Sequence, residues 1–291
     1  MAPAGAAELV WHNDVILSRL TAHLSPDGLA WVSATSRRGW AYAIPRLWSV
    51  LRPTRMQSFR LLVNTAGLPL LMRIGGHQCY GSLAQTLDLA MLPGRWDMVD
   101  HPSMSRLLES CCSLKTLDMS LCQSLRSSDF ERIAHSSPGL CRSLVSLDIS
   151  ETSFSVKSMQ SALQLMPNLQ VLDLTSTLAN VDLLRTISEH NTALVRLILT
   201  DCIDATDEGL RLVVDACRGL KEVVVIDCPY IVDHAYLANA NIVYQWEEEV
   251  EHPGYDDSGD SGTGSGGSLD SYDEMYDDYD GYVDYEDYYS L

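Results

Sequence analysis

Apolar and polar positions alternate in short bursts along the middle of the chain. In "NLQVLDLTST", residues 168–177, Leu169, Leu172 and Leu174 are apolar, with Gln170 and Asp173 among the residues between. Such alternation puts the apolar side chains on one face of a half-buried strand. The burst recurs. Aligned on the second apolar residue of L-x-x-L-x-L, "SLAQTLDLAM" places Leu87, "SLKTLDMSLC" Leu117, "SLVSLDISET" Leu147, "ALVRLILTDC" Leu197 and "GLKEVVVIDC" Val223. With Leu172 the steps are 30, 30, 25, 25 and 26 residues. One unit at near-constant spacing predicts an array of structural repeats.

Between the bursts the apolar period changes. "DEGLRLVVDAC" (207–217) has apolar residues at 210, 213, 214 and 217, one face of a helix. Thr206 or Asp207 can cap its N-terminus. "SVKSMQSALQLM" and "NVDLLRTISEH" fill the same slot in the two preceding repeats. A lone strand–helix unit cannot bury its apolar face, whereas stacked units do so together. Cysteines fit the frame. Cys111-x-x-Leu114-x-x-Leu117-x-Met119-x-x-Cys122 is one full unit, and Cys217-x-x-Leu220-x-x-Val223-x-Val225-x-x-Cys228 is another. Cys141 and Cys202 fill single slots, while Thr152 and Thr177 replace the second cysteine. Over roughly residues 83–240 the chain resembles the cysteine-containing class of leucine-rich repeats. That resemblance implies an α/β fold, a solenoid of curved parallel strands with helices on the convex side, expected over residues 56–246. The cysteines read as small buried hydrophobes at tight turns. The stretch 56–82 is the least regular. "FRLLV" is expected to open a strand and "AGLPLLMRI" a short helix of an irregular first repeat.

The chain before the repeats follows a different logic. Ile16, Leu17, Leu20 and Leu24 make a helical stripe, which Ser25-Pro26-Asp27-Gly28 breaks. Leu29, Trp31 and Val32 begin a second apolar stretch, and Trp40 and Trp48 follow on either side of Pro45. Two or three short helices are expected over residues 9–55, behind a disordered 1–8. "HLSPDGL" (23–29), "SRRGW" (36–40) and "PRLW" (45–48) resemble an F-box. By that resemblance the module docks to the adaptor subunit of an SCF ubiquitin ligase on its cullin scaffold, through Ile16, Leu17, Leu20, Leu24, Pro26 and Leu29, with Trp48 bracing the bundle. The repeats would then hold a protein substrate. The alternative is a protein-binding scaffold outside any ligase, with the helices only capping the solenoid.

In L-x-x-L-x-L-x the third, fifth and seventh positions point outward, onto the concave side. The fifth positions are Asp88, Asp118, Asp148 and Asp173, then Ile198 and Val224. The third positions end in Val171, Arg196 and Glu222. Carboxylates ~5 Å apart repel one another and favour a basic partner, unless they are only a solvated face of the repeat. Val171, Ile198, Val224 and Ile226 form an apolar end. The expected substrate face therefore contains Asp118, Asp148, Val171, Asp173, Arg196, Ile198 and Val224.

Composition sets limits on this picture. The formal net charge is −19, but residues 247–291 hold sixteen Asp or Glu and no Lys or Arg, leaving the rest near neutral. A near-neutral body offers no clustered cations for nucleic acid. The tail, rich in Asp, Gly, Ser and Tyr, is too polar to fold and is expected to be disordered. No run of 18 apolar residues points to a membrane span. "MAPAGAAELVWHND" lacks the basic and apolar regions of a secretory signal. Eight cysteines without that signal read as free thiols of the cytoplasm or nucleus. No CxxC or HxxxH spacing marks a metal site, and no Gly-rich phosphate loop or G-x-S-x-G marks an enzyme. The expectation is a non-catalytic protein without a cofactor.

Overall fold

The computed structural model describes residues 14–74, 77–233, 235–239 and 242–245. The expected disordered ends, 1–8 and 247–291, lie outside them. Three helices open the described chain: α1 (Asp14–Ala22), α2 (Pro26–Thr35) and α3 (Arg37–Ser49). Serines set the two breaks between them. Ser25 caps α2 by accepting from the Gly28 amide at 3.3 Å, and Ser36 caps α3 by accepting from Gly39 at 2.9 Å. Pro45 lies inside α3 and does not end it.

The chain passes from α3 directly into β1 (Val50–Leu51), which pairs in parallel with β4 (Thr86–Asp88). The sheet therefore starts five residues before the expected boundary at 55. The stretch 56–82 inverts the expectation. "FRLLV" belongs to helix α4 (Met56–Ala66), and Pro69–Ile74 is strand β2, hairpinned with β3 (His77–Cys79). Phe59, Val63 and Ala66 are the buried face of α4. Their spacing of four and three is helical, and it overrides the local β-propensity of a five-residue apolar run.

The repeats then follow in order: β4, short α5 (Arg95–Met98) and α6 (His101–Ser110), β5 (Thr116–Asp118), α7 (Ser127–Ser136) and α8 (Pro138–Ser143), β6 (Ser146–Asp148), α9 (Val156–Leu163), β7 (Val171–Asp173), α10 (Val181–His190), β8 (Arg196–Thr200), α11 (Asp207–Ala216), β9 (Glu222–Ile226), α12 (Ala235–Asn239) and β10 (Val243–Gln245). Among the described residues one eight-stranded sheet runs β1-β4-β5-β6-β7-β8-β9-β10, all parallel. Its register is that of the sequence repeat. Leu87, Leu117, Leu147, Leu172, Leu197 and Val223 are successive Cα partners. This is the α/β, parallel-strand architecture of a leucine-rich-repeat solenoid, with β1 and β10 as two rungs beyond the six aligned copies.

One continuous core lies between the sheet and its helices. It takes Leu114, Leu117 and Met119 from one repeat, Leu144, Leu147 and Ile149 from the next, and so on to Val225. Asn180 and Thr206 cap α10 and α11 by accepting from the Leu183 and Gly209 amides. Asn191 occupies a cysteine slot and is fully buried. Its Nδ2 donates to the carbonyls of Leu163 at 3.0 Å and Met166 at 2.8 Å, tying two repeats together. Phe130 and Phe154 stack at 4.5 Å across two others.

Candidate functional site

Two surfaces are candidates: the sheet face turned away from the helices, and the N-terminal helices. On the sheet face the fifth-position residues form a column in strict register, Asp88, Asp118, Asp148, Asp173 and then Ile198 and Val224. Each aspartate is engaged locally. Its Oδ1 accepts from the amide two residues on: Ala90 at 3.0 Å, and Ser120, Ser150 and Thr175 at 2.9 Å. Ser150 Oγ and Thr175 Oγ1 add second bonds at 2.6 and 2.7 Å. These Asx turns bend the chain off the strand. Just beyond, Leu121, Glu151, Ser176, Asp201 and Asp227 all hold φ between 52° and 59°. The column is thus first a row of turn caps.

Ion pairing and burial also act on the column. Arg52 Nε lies 2.9 Å from Asp88 Oδ2. Burial raises the carboxyls of Asp118 and Asp148 above the ordinary range, and the neighbouring aspartates add to the rise. Arg95, whose Nε donates to the Ser120 carbonyl at 2.8 Å, eases Asp148 in the opposite direction. At the apolar end Val171 and Ile198 are half-buried, but Val224 is buried. That corrects its placement as an exposed contact: Val224 keeps the outward register beside Ile198 but is covered there. Arg196 faces Glu222 across the strands, Nε to Oε2 3.2 Å.

The helical module divides its predicted contact residues. Leu17 and Leu29 are buried, so they hold the module together and offer no surface. Leu29 packs with Val32 and Ala43, and half-buried Leu24 lies against them just outside α1. The buried line of α1 includes Leu17 and Thr21, whose Oγ1 donates to the Leu17 carbonyl at 2.7 Å. Ile16 and Leu20 are each 40% exposed, and Pro26 is exposed. Trp48 braces the seam with the solenoid, its ring 5.0 Å from that of Tyr80. Trp40 and Ile44 complete that seam against Leu83. The sequence reading missed Trp31, which is 65% exposed. It lies two residues after Leu29 and one before Val32, so a helical wheel turns it away from their buried face.

Among the described residues no group of His, Cys, Asp or Glu is arranged to hold a metal ion, and no helix is long and apolar enough to cross a membrane. Six of the eight cysteines are buried. Burial pushes the Cys111 and Cys122 thiols up to about 12 and those of Cys141 and Cys217 up to about 11, which disfavours the reactive thiolate.

No family model matches the sequence, and no curated protein matches it. Solved structures do. An internalin C2 from Listeria monocytogenes is 15% identical, covers 76% of this chain and 92% of its own, and superimposes with a TM-score of 0.43. The structure of a TLR13–ssRNA13 complex is 15% identical over 47% of this chain, with a TM-score of 0.36. This chain covers 19% of that protein, less than a fifth of its length. Likeness at these scores carries nothing about function. The fold rests on the register of the sheet.

Proposed function

We propose that this protein is a substrate-recognition adaptor of an SCF-type ubiquitin ligase, with the helical module docking to the adaptor subunit and the repeats holding a protein substrate. The observation that carries the reading is the two-sided build of the module. One side, Trp40, Ile44 and Trp48, is spent on the solenoid seam, while Leu20 and Trp31 stay exposed. A pure cap needs a polar outer face, and exposed Leu20 and Trp31 depart from that. The F-box resemblance of "HLSPDGL", "SRRGW" and "PRLW" supplies the kind of partner. Catalysis would belong to other subunits, and this chain would act by holding a target near activated ubiquitin.

The test is binding of the purified chain to the SCF adaptor subunit, beside a Leu20→Asp/Trp31→Asp variant. Both residues are exposed, so the variant is expected to melt within about 2 °C of the parent. Binding at about micromolar Kd that the variant loses supports the reading. Two well-folded proteins that both fail to bind would leave the scaffold reading, with the helices as a cap.

A further inference from the structure

The turns that leave the last three interior strands carry a second apolar surface, apart from the sheet face. Leu178, Ile203, Tyr230 and Val232 are 47% to 72% exposed, and Pro229 is exposed between them. Leu178, Ile203 and Pro229 occupy one slot, each directly after a buried donor that fixes its turn. Thr177 Oγ1 donates to the Leu174 carbonyl at 2.6 Å, Cys202 Sγ to the same carbonyl at 3.1 Å and Cys228 Sγ to that of Leu199 at 2.9 Å. The backbone beneath the ridge is tied from rung to rung, with Asp201 N donating to the Ile226 carbonyl and Asp207 N to that of Tyr230. In the two preceding repeats the same slot holds Gln123 and Ser153. The first repeat has exposed Pro93 in that slot. Apolar character is therefore not required by the turn, and only at these three adjacent repeats does it run unbroken from rung to rung.

We propose that the ridge of Leu178, Ile203, Pro229, Tyr230 and Val232 docks an extended segment of a partner protein in which apolar residues alternate with lysine or arginine. Charge selects that occupant. Asp201, Asp204 and Asp227 are exposed along the ridge, and among the described residues no ion pair reaches them. Like charge disfavours an acidic occupant. The chain's own tail after residue 246 holds sixteen acidic residues and no basic one, and a second copy brings a net charge of −19. Three adjacent turns roughly 5 Å apart match about four residues of extended chain. The ridge lies outside the helical module, so this inference stands whether or not the module docks an adaptor.

The probe is a labelled synthetic peptide alternating Leu or Ile with Lys, read by fluorescence anisotropy against the full-length chain. Its partners in the experiment are a peptide with every Lys replaced by Glu, and an Ile203→Ser/Tyr230→Ser variant of the protein. Both substitutions are at exposed positions and leave every charge, including the tail's, unchanged. The expected result is binding by the basic peptide, weakened about tenfold or more in the variant, and lost with the Glu peptide. Equal binding by parent and variant would assign the affinity to the acidic tail and overturn the proposal. Equal binding of both peptides would overturn the charge argument, and no binding at about 100 µM peptide would overturn the site itself. Retention of adaptor binding by the same variant separates this outcome from that of the helical module.

Discussion

The helical module and the solenoid bury apolar residues in different ways. In the solenoid the same position of every repeat faces the same core, so Leu117, Leu147, Leu172 and Leu197 are interchangeable rungs. In the module each large residue has a separate task. Leu29 fills a small core, Trp48 grips Tyr80 across a seam, and Trp31 faces outward. A repeat therefore marks which residues are core and leaves the character of its surface to the positions that break the pattern. A small module of single-use residues gives neither away without its packing.

The largest effect should fall on the shared core. Leu172→Ala, at a fully buried rung, is expected to destabilise by about 3 kcal/mol in denaturant unfolding. A loss under about 1 kcal/mol would break the account of a continuous core. The seam comes next. Trp48→Ala should cost about 2 kcal/mol, whereas Trp31→Ser should stay within about 0.5 kcal/mol. Equal costs at the two tryptophans would contradict the two-sided module. Asn191→Ala should also cost about 2 kcal/mol, because two buried carbonyls lose their donor. Replacement by serine should recover little, since its hydroxyl is too short to bridge both repeats.

Smaller effects sharpen the contrast between the two halves of the aspartate column. Asp148→Asn keeps the acceptor for the Ser150 amide but removes a charge whose burial raises the carboxyl. A raised folded-state value means that the unfolded chain binds fewer protons in that range, so ionisation costs stability above it and nothing well below the unfolded value of 3.8. The variant should therefore melt higher than the parent at pH 7, and the gap should close as pH falls through the carboxylate range. A gap that widens on acidification would show that the charge is stabilising. At the turns, Glu151 holds a φ of 54° and is exposed. Glu151→Gly should stabilise by about 0.5 kcal/mol, the relief of left-handed strain less the added freedom of the unfolded chain.

Much of the fold was legible because period-two alternation and its spacing survive in single residues. The strands from β4 to β9, the helices α9, α10 and α11, and the Thr206 cap all follow from it. What stayed hidden had no period to show. β1 is two residues long and continues the apolar run of α3, and β10 lies beyond the last recognisable repeat. α4 hid behind an apolar run too short to separate helix from strand, although Phe59, Val63 and Ala66 carry helical spacing. The surfaces were less legible than the fold. Outward register placed Asp118, Asp148 and Asp173, but their engagement as turn caps depends on the amide two residues on. Val224 reads as outward in "EVVVI" and pairs with Ile198 as the register requires, yet it is buried, because apolar residues at 223, 224 and 225 alike give alternation nothing to separate. In α1 the choice between Leu17 and Leu20 as the buried residue depends on where α3 packs, which no local pattern encodes.

The central claim is that α1 and α2 form a docking surface and not a lid for the first rung. Hydrogen–deuterium exchange of the full-length chain, with and without the SCF adaptor subunit, tests it most directly. The account predicts slowed exchange within residues 14–35, with the amides of β5 to β9 unchanged. Protection confined to the solenoid, or no protection at saturating adaptor, would contradict it.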